Sequence, residues 1–212
     1  FSHKIEVSGS IQYIYLHLIP WYRDQCCGNG KMLGYLQSQT GAFIHGFDYS
    51  EQAIKTASKL YNVNADFKEG VIGEIQYPIN SFDVIISMDT MYFTDDMSAF
   101  VSVIKKWMKP NALFFVGYTE GDVISKTESV ETTKIAKAFF DNQMSFDAID
   151  ITYDTYNLLK KKRQAAIVHK SEFENEENMR WFDLLMCQTD CINCSYNEFK
   201  KRMARYIFIA TK

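Results

Sequence analysis

Proline is scarce, three in 212 residues, so few positions force a break in regular structure. No run of 18 apolar residues occurs, and a membrane-spanning helix is not expected. Positive charge is not in excess: 23 Lys and Arg stand against 26 Asp and Glu, a formal net charge of −3. A surface built for phosphate contacts needs the opposite balance, so nucleic acid is not an expected partner. The basic run Lys160-Lys161-Lys162-Arg163 is followed by Glu172, Glu174, Glu176 and Glu177, which reads as a solvated helix face. Five cysteines, an odd number, fit poorly with a secreted disulfide framework. The opening residues Phe1-Ser2-His3-Lys4 show neither the basic nor the apolar region of a signal peptide. The cytoplasm is the expected compartment. None of the four histidines is paired at a metal-ligand spacing, and no metal site is expected from them.

What is abundant is apolar and aromatic: 47% of the chain is hydrophobic, with 16 Phe and 13 Tyr. That suffices for one sizeable core, and 212 residues are read as a single domain, 1–212. Residues 31–38 read as a helix with Met32, Leu33, Tyr35 and Leu36 available to a buried face. Residues 42–47 form a short apolar run ending at Asp48, as in a buried parallel strand. Ser50 is placed to cap a helix over 51–60. Strands follow at 65–70 and 82–87, then a helix over 97–108 stopped by Pro110, then a strand at 112–118. The stretch 122–198 reads as largely helical, with helices at 130–140, 153–166 and 178–185, and a last strand closes the chain within 203–212. Alternating strands and helices at this spacing predict a doubly wound α/β sheet, with the loops after the strands along one ligand-binding edge.

The turn Cys27-Gly28-Asn29-Gly30, between a strand and a helix, would present backbone N–H groups to a ligand that a side chain would keep away. Asp48 lies eighteen residues beyond Gly30, at the end of the next strand, where a carboxylate can hold a ribose. Together they point to a nucleoside. A dinucleotide fingerprint requires glycine at 33, but residue 33 is Leu and the next glycine is Gly34.

Asp24-x-Cys26-Cys27-Gly28-Asn29-Gly30 resembles the glycine loop of class I S-adenosylmethionine (SAM) dependent methyltransferases. Phe47-Asp48-Tyr49-Ser50 is similar to that family's ribose motif, Asn80 to Ile86 to its fourth-strand motif, and Met108-Lys-Pro-Asn-Ala112 to the turn before its fifth strand. The resemblance implies a Rossmann-like, seven-stranded, mostly parallel sheet with helical cover inserted after strand five, and a helical lid over about 1–22. It implies SAM as cofactor, bound by Cys27, Gly28, Gly30, Asp48, Tyr49, Val71, Ile72 and Met88. Two features depart from the pattern: Cys26 replaces the first glycine, and Gly70-Val71-Ile72 replaces the usual Gly-Asp.

Methyl transfer from a sulfonium is an in-line displacement that relies on alignment, with a base needed only where the acceptor carries a proton. Asp89 and Tyr92, in the segment after strand four, are the expected catalytic residues, with a small-molecule N, O or C nucleophile as acceptor. Tyr118 and Glu120 are alternatives. Tyr13, His17, Trp21 and Tyr153, in aromatic segments, are candidates for acceptor contact. Two rival functions stay open: a nucleotide-dependent oxidoreductase, and a SAM-binding protein without catalysis. Cys187, Cys191 and Cys194 have the spacing of an iron–sulfur motif, but the barrel that such a motif feeds would have to fit in the 18 residues after Cys194. Free thiols are expected there.

Overall fold

The structure, a computed structural model, describes the backbone of residues 12–17 and all atoms of residues 29–212. Seven strands form one sheet: β1 (Gln12–His17), β2 (Phe43–Asp48), β3 (Ala65–Glu69), β4 (Phe82–Met88), β5 (Met108–Glu120), β6 (Ser145–Asp150) and β7 (Ala204–Thr211). Their order is β3-β2-β1-β4-β5-β7-β6. The four pairings from β3 across to β5 are parallel. This is the doubly wound α/β arrangement that the alternation of elements predicted.

Residues 12–17, expected within a helical N-terminal lid, instead form β1 between β2 and β4. The segment Gln-Tyr-Ile-Tyr-Leu-His is rich in aromatic and β-branched residues, which suit a central strand, and its length is too short to separate strand from helix by pattern alone. The expected helical stretch 122–198 likewise hides a strand, β6. Five of its six residues are exposed, Ile149 among them, and only Phe146 is half-buried. As the terminal strand of the order it needs only one apolar anchor, Phe146, whose ring meets Phe139, Phe140 and Phe208. The helix before β5 ends at Trp107, and β5 starts at Met108, ahead of Pro110, with a register irregularity opposite Phe82 and Val84.

Two compact units are distinguished. The first comprises Phe1–Tyr118, Thr127–Ala148 and Ile207–Lys212. It holds α1 (Lys31–Thr40), α2 (Glu51–Leu60), α3 (Met97–Trp107) and α4 (Lys134–Asp141). Leu33 of α1 packs on Ile44 of β2, together with Tyr61, Phe67, Ile86 and Met88. Phe100, Val101, Ile104 and Trp107 form the buried stripe of α3, as their 3- and 4-residue spacing requires. Asp96 caps α3 and Ser50 caps α2 through their side chains. The second unit comprises Thr119–Lys126 and Ile149–Tyr206. It contains α5 (Thr152–Val168), α6 (Lys170–Asn175), α7 (Met179–Gln188) and α8 (Tyr196–Arg202). Here Arg163, last of the basic run, turns inward and donates to the Met186 carbonyl at 2.8 Å and to Thr189 Oγ1 at 3.2 Å. Its charge therefore serves packing rather than a solvated face.

On β2, His45 lies against Phe82 and Tyr77, with Asp66 Oδ2 3.4 Å from Nδ1. Burial holds its imidazole below the ordinary value of 6.5, and Asp66 opposes that shift. The unfolded chain thus binds the proton more readily, so this contribution to stability is present above pH 6.5 and is lost as the pH falls below it. His45→Gln is expected to remove that loss, so the stability difference between parent and variant narrows on acidification, as denaturant unfolding at two pH values would show. Ile85→Ala, at a wholly buried position of β4, is expected to cost about 2–5 kcal/mol in the same assay.

Candidate functional site

The parallel register brings the strand ends to a common edge. Asp48 pairs with Glu69, and Met88 pairs with both His17 and Gly117. Residues that alternate along β2 share a face, and Ile44, Gly46 and Asp48 lie on the side where Leu33 packs. A Cβ on Gly46 would come within 2.8 Å of the Phe67 ring and 3.1 Å of Leu33 Cδ1, so α1 sits close to β2 because that position has no side chain.

Gly30 opens α1 in the left-handed region, at φ 74°. A side chain there would meet Tyr61, Ala57 and Phe67 at 3.0–3.2 Å. Gly34 accommodates the Tyr61 ring, with which any Cβ would collide. The glycine that came one place late for a dinucleotide fingerprint thus serves helix packing, and Leu33, only 1% exposed, is core.

Asp48 is buried, and its Oδ1 accepts the Ser50 N–H at 2.8 Å. Its own carbonyl accepts the Gly70 N–H at 3.0 Å, tying the start of the turn that carries Val71 and Ile72 to the end of β2. Val71 is exposed, Ile72 half-buried, and Tyr49 exposed. Met88 packs in the Leu33 and Ile44 cluster, on the same side as Asp48. Gly30, Asp48, Tyr49, Val71, Ile72 and Met88 are therefore placed around one strand-end edge. Cys27 and Gly28, with Asp24, Cys26 and Trp21, lie outside the described residues.

Beyond β4, Asp89 takes a positive φ of 56° and its N–H donates to the Gly117 carbonyl at 2.9 Å. A 3₁₀ turn at Met91–Phe93 carries Tyr92 back, and its hydroxyl donates to Asp89 Oδ1 at 3.2 Å. Below them the Ser87 and Thr90 hydroxyls, both buried, hydrogen-bond to each other. The two expected catalytic side chains are thus one hydrogen-bonded unit on a fixed turn.

Residues 24–116 match the family model described as a methyltransferase domain. Over those residues, under half of the chain, it is similar to a methyltransferase domain. Over 96 residues it is 29% identical to the ubiquinone biosynthesis O-methyltransferase of Rhizobium etli, covering 44% of this chain and 38% of that protein. It thus spans well under half the length of that curated relative. Among solved structures, Haemonchus contortus phosphoethanolamine N-methyltransferase 2, in complex with SAM, superimposes with a TM-score of 0.77 at 15% identity, over 96% of this chain and 49% of the other. The [4+2]-cyclase SpnF superimposes with a TM-score of 0.69 at 14% identity, over 97% of this chain and 76% of that one. At such identities the two structures speak to the fold alone.

Tyr118 is fully buried, its ring against Tyr92 and Phe208. Glu120 is also fully buried. Both belong to the interior. Gly117 escaped notice in the sequence, although a glycine inside a strand marks a close approach. Here Met88 fills the space, and a Cβ would come 2.6 Å from its methyl carbon. No group of three or more His, Cys, Asp or Glu side chains among the described residues is arranged to hold a metal, so Cys187, Cys191 and Cys194 do not form a ligand set. No helix among them is long and apolar enough to cross a membrane.

Gly30→Ala forces alanine into the left-handed region, at about 1–2 kcal/mol, and adds a methyl in a crowded spot. Denaturant unfolding is expected to show at least that loss, together with weaker SAM binding by calorimetry.

Proposed function

We propose that this chain transfers the methyl group of SAM to a small-molecule acceptor. The observation that carries the reading is the juxtaposition of the Gly30 turn and the Asp48 carboxylate at one strand-end edge, within residues that match a methyltransferase domain. Bound SAM supplies an electrophilic methyl on a sulfonium. Gly28 and Gly30 admit its methionine part to the backbone, Asp48 accepts hydrogen bonds from the ribose, and Tyr49, Val71, Ile72 and Met88 line the adenosine. The fit rests on the left-handed turn at Gly30 that opens α1 and on a carboxylate whose Oδ1 already accepts the Ser50 N–H.

Asp89 and Tyr92 orient the acceptor. Their hydrogen bond keeps the carboxylate beside a hydroxyl, a pairing that can receive a proton from a phenol or other hydroxyl as the oxygen attacks the methyl in line. An oxygen acceptor is the first choice, in keeping with the O-methyltransferase that the chain is similar to. A nitrogen or carbon acceptor needs the same alignment, with or without the base.

Three outcomes test the reading. Asp48→Ala is expected to weaken SAM binding by about 1.5–3 kcal/mol, the range for hydrogen bonds to a charged group, and an unchanged dissociation constant would sink the ribose assignment. With the full chain and a panel of phenols, amines and carboxylates, Tyr92→Phe and Asp89→Asn are expected to lower kcat while SAM affinity holds. Loss by about 10²-fold or more is the scale for a positioned acid or base. Binding of NAD(H) with no heat on adding SAM would favour an oxidoreductase. SAM bound but never consumed across the panel would favour a binding role.

A further inference from the structure

We propose that Cys191 and Cys194 form a reversible thiol–disulfide site that reacts with small-molecule disulfides such as oxidised glutathione. The two are three residues apart: Cys191 is on a 3₁₀ turn at Asp190–Ile192, closed by the Ile192 N–H onto Thr189 and the Asn193 N–H onto Asp190, and Cys194 is the second residue past its end. A disulfide spans Cα separations of about 4.4–6.8 Å, a short span for two residues three apart when the second folds back on the first as Cys194 does on Cys191.

Cys191 Sγ faces the Gln188 carbonyl at 4.0 Å, so bond formation takes a rotation of that side chain toward Cys194. Cys194 Sγ lies 3.3 Å from the Cys191 carbonyl oxygen, turned back over the residue it would join. Arg202, at the end of α8, donates to the same sulfur at 2.9 Å. Tyr156, on α5, donates from its hydroxyl to the Cys194 carbonyl at 2.8 Å. Both cysteines pack against Tyr156, Ile192 and Phe199, whereas Cys187 is exposed on α7. The Arg202 guanidinium on its sulfur assigns the first attack to Cys194, and burial pushes the Cys191 thiol up.

Cys194, as the thiolate, attacks one sulfur of the small disulfide, and the other sulfur leaves with the bonding electrons and takes up a proton. Cys191 then loses its proton and attacks Cys194 of the mixed disulfide, expelling the second small thiol. One protein dithiol is oxidised and one small disulfide is reduced to two thiols. An excess of the small thiol runs the sequence backwards. Because the resolving thiol is tethered, its effective concentration is millimolar or higher, and the mixed disulfide does not accumulate.

The test uses the reduced full chain exposed to oxidised glutathione, then alkylated and mapped by mass spectrometry. A peptide spanning Cys191 and Cys194 that has lost two hydrogens is expected, with Cys187 alkylated and the glutathione adduct at least about tenfold less abundant. Cys187→Ser is expected to leave this product unchanged, and Cys191→Ser to trap the adduct on Cys194. Alkylation of both cysteines, a pairing through Cys187, or a lasting adduct on the parent chain would each overturn the proposal. None of these outcomes depends on methyl transfer.

Discussion

The closeness of α1 to the sheet governs the strand-end edge. Leu33 reaches Ile44 because Gly46 leaves no side chain between helix and strand, and Phe67 and Tyr61 fill what remains around Gly30 and Gly34. Interiors at close-packed density give no slack for an added carbon. The glycine turn is therefore set at a fixed height above β2, and Asp48 stands at the end of that same strand. A nucleoside site needs a backbone approach and a carboxylate in constant relation. This packing fixes that relation for the proposed site.

A second layer of order comes from register. Asp48, Glu69, Met88 and Gly117 reach one edge because parallel strands advance together, and a slip by one residue would turn each to the opposite face. Asp89 follows directly, with a positive φ and an amide bonded to Gly117. The strained residue is thus anchored to the sheet, and Tyr92 is carried to it by a single 3₁₀ turn. The proposed cofactor site draws on the first of these arrangements, and the proposed acceptor site on the second. Catalysis by alignment asks little more of the chain than rigid placement.

The methyltransferase motifs were legible because each is local. Gly30 at a helix start, an apolar run ending at Asp48, and Phe82 to Ser87 as a buried strand all show their chemistry within a few residues. The segments that misled were those whose partners are distant. Gln12 to His17 has apolar and aromatic residues that suit either element, and only its place between β2 and β4 makes it a strand. Ser145 to Asp150 has a single anchoring ring, Phe146, and its strand character rests on pairing at the end of the sheet. The basic run showed its charge but not the inward turn of Arg163 toward α7.

By itself the sequence determined the class of fold, the glycine turn and its carboxylate, and the motif order that marks a methyltransferase domain, since these depend on side-chain period, backbone freedom and charge at short range. Only the tertiary structure decided that Gly34 and Gly46 serve close packing, that Tyr118 and Glu120 are interior, that Tyr92 is bonded to Asp89, and that Cys191 and Cys194 stand together while Cys187 stands apart. Those facts are distances between residues on different elements or across a turn, and no one-dimensional period encodes them.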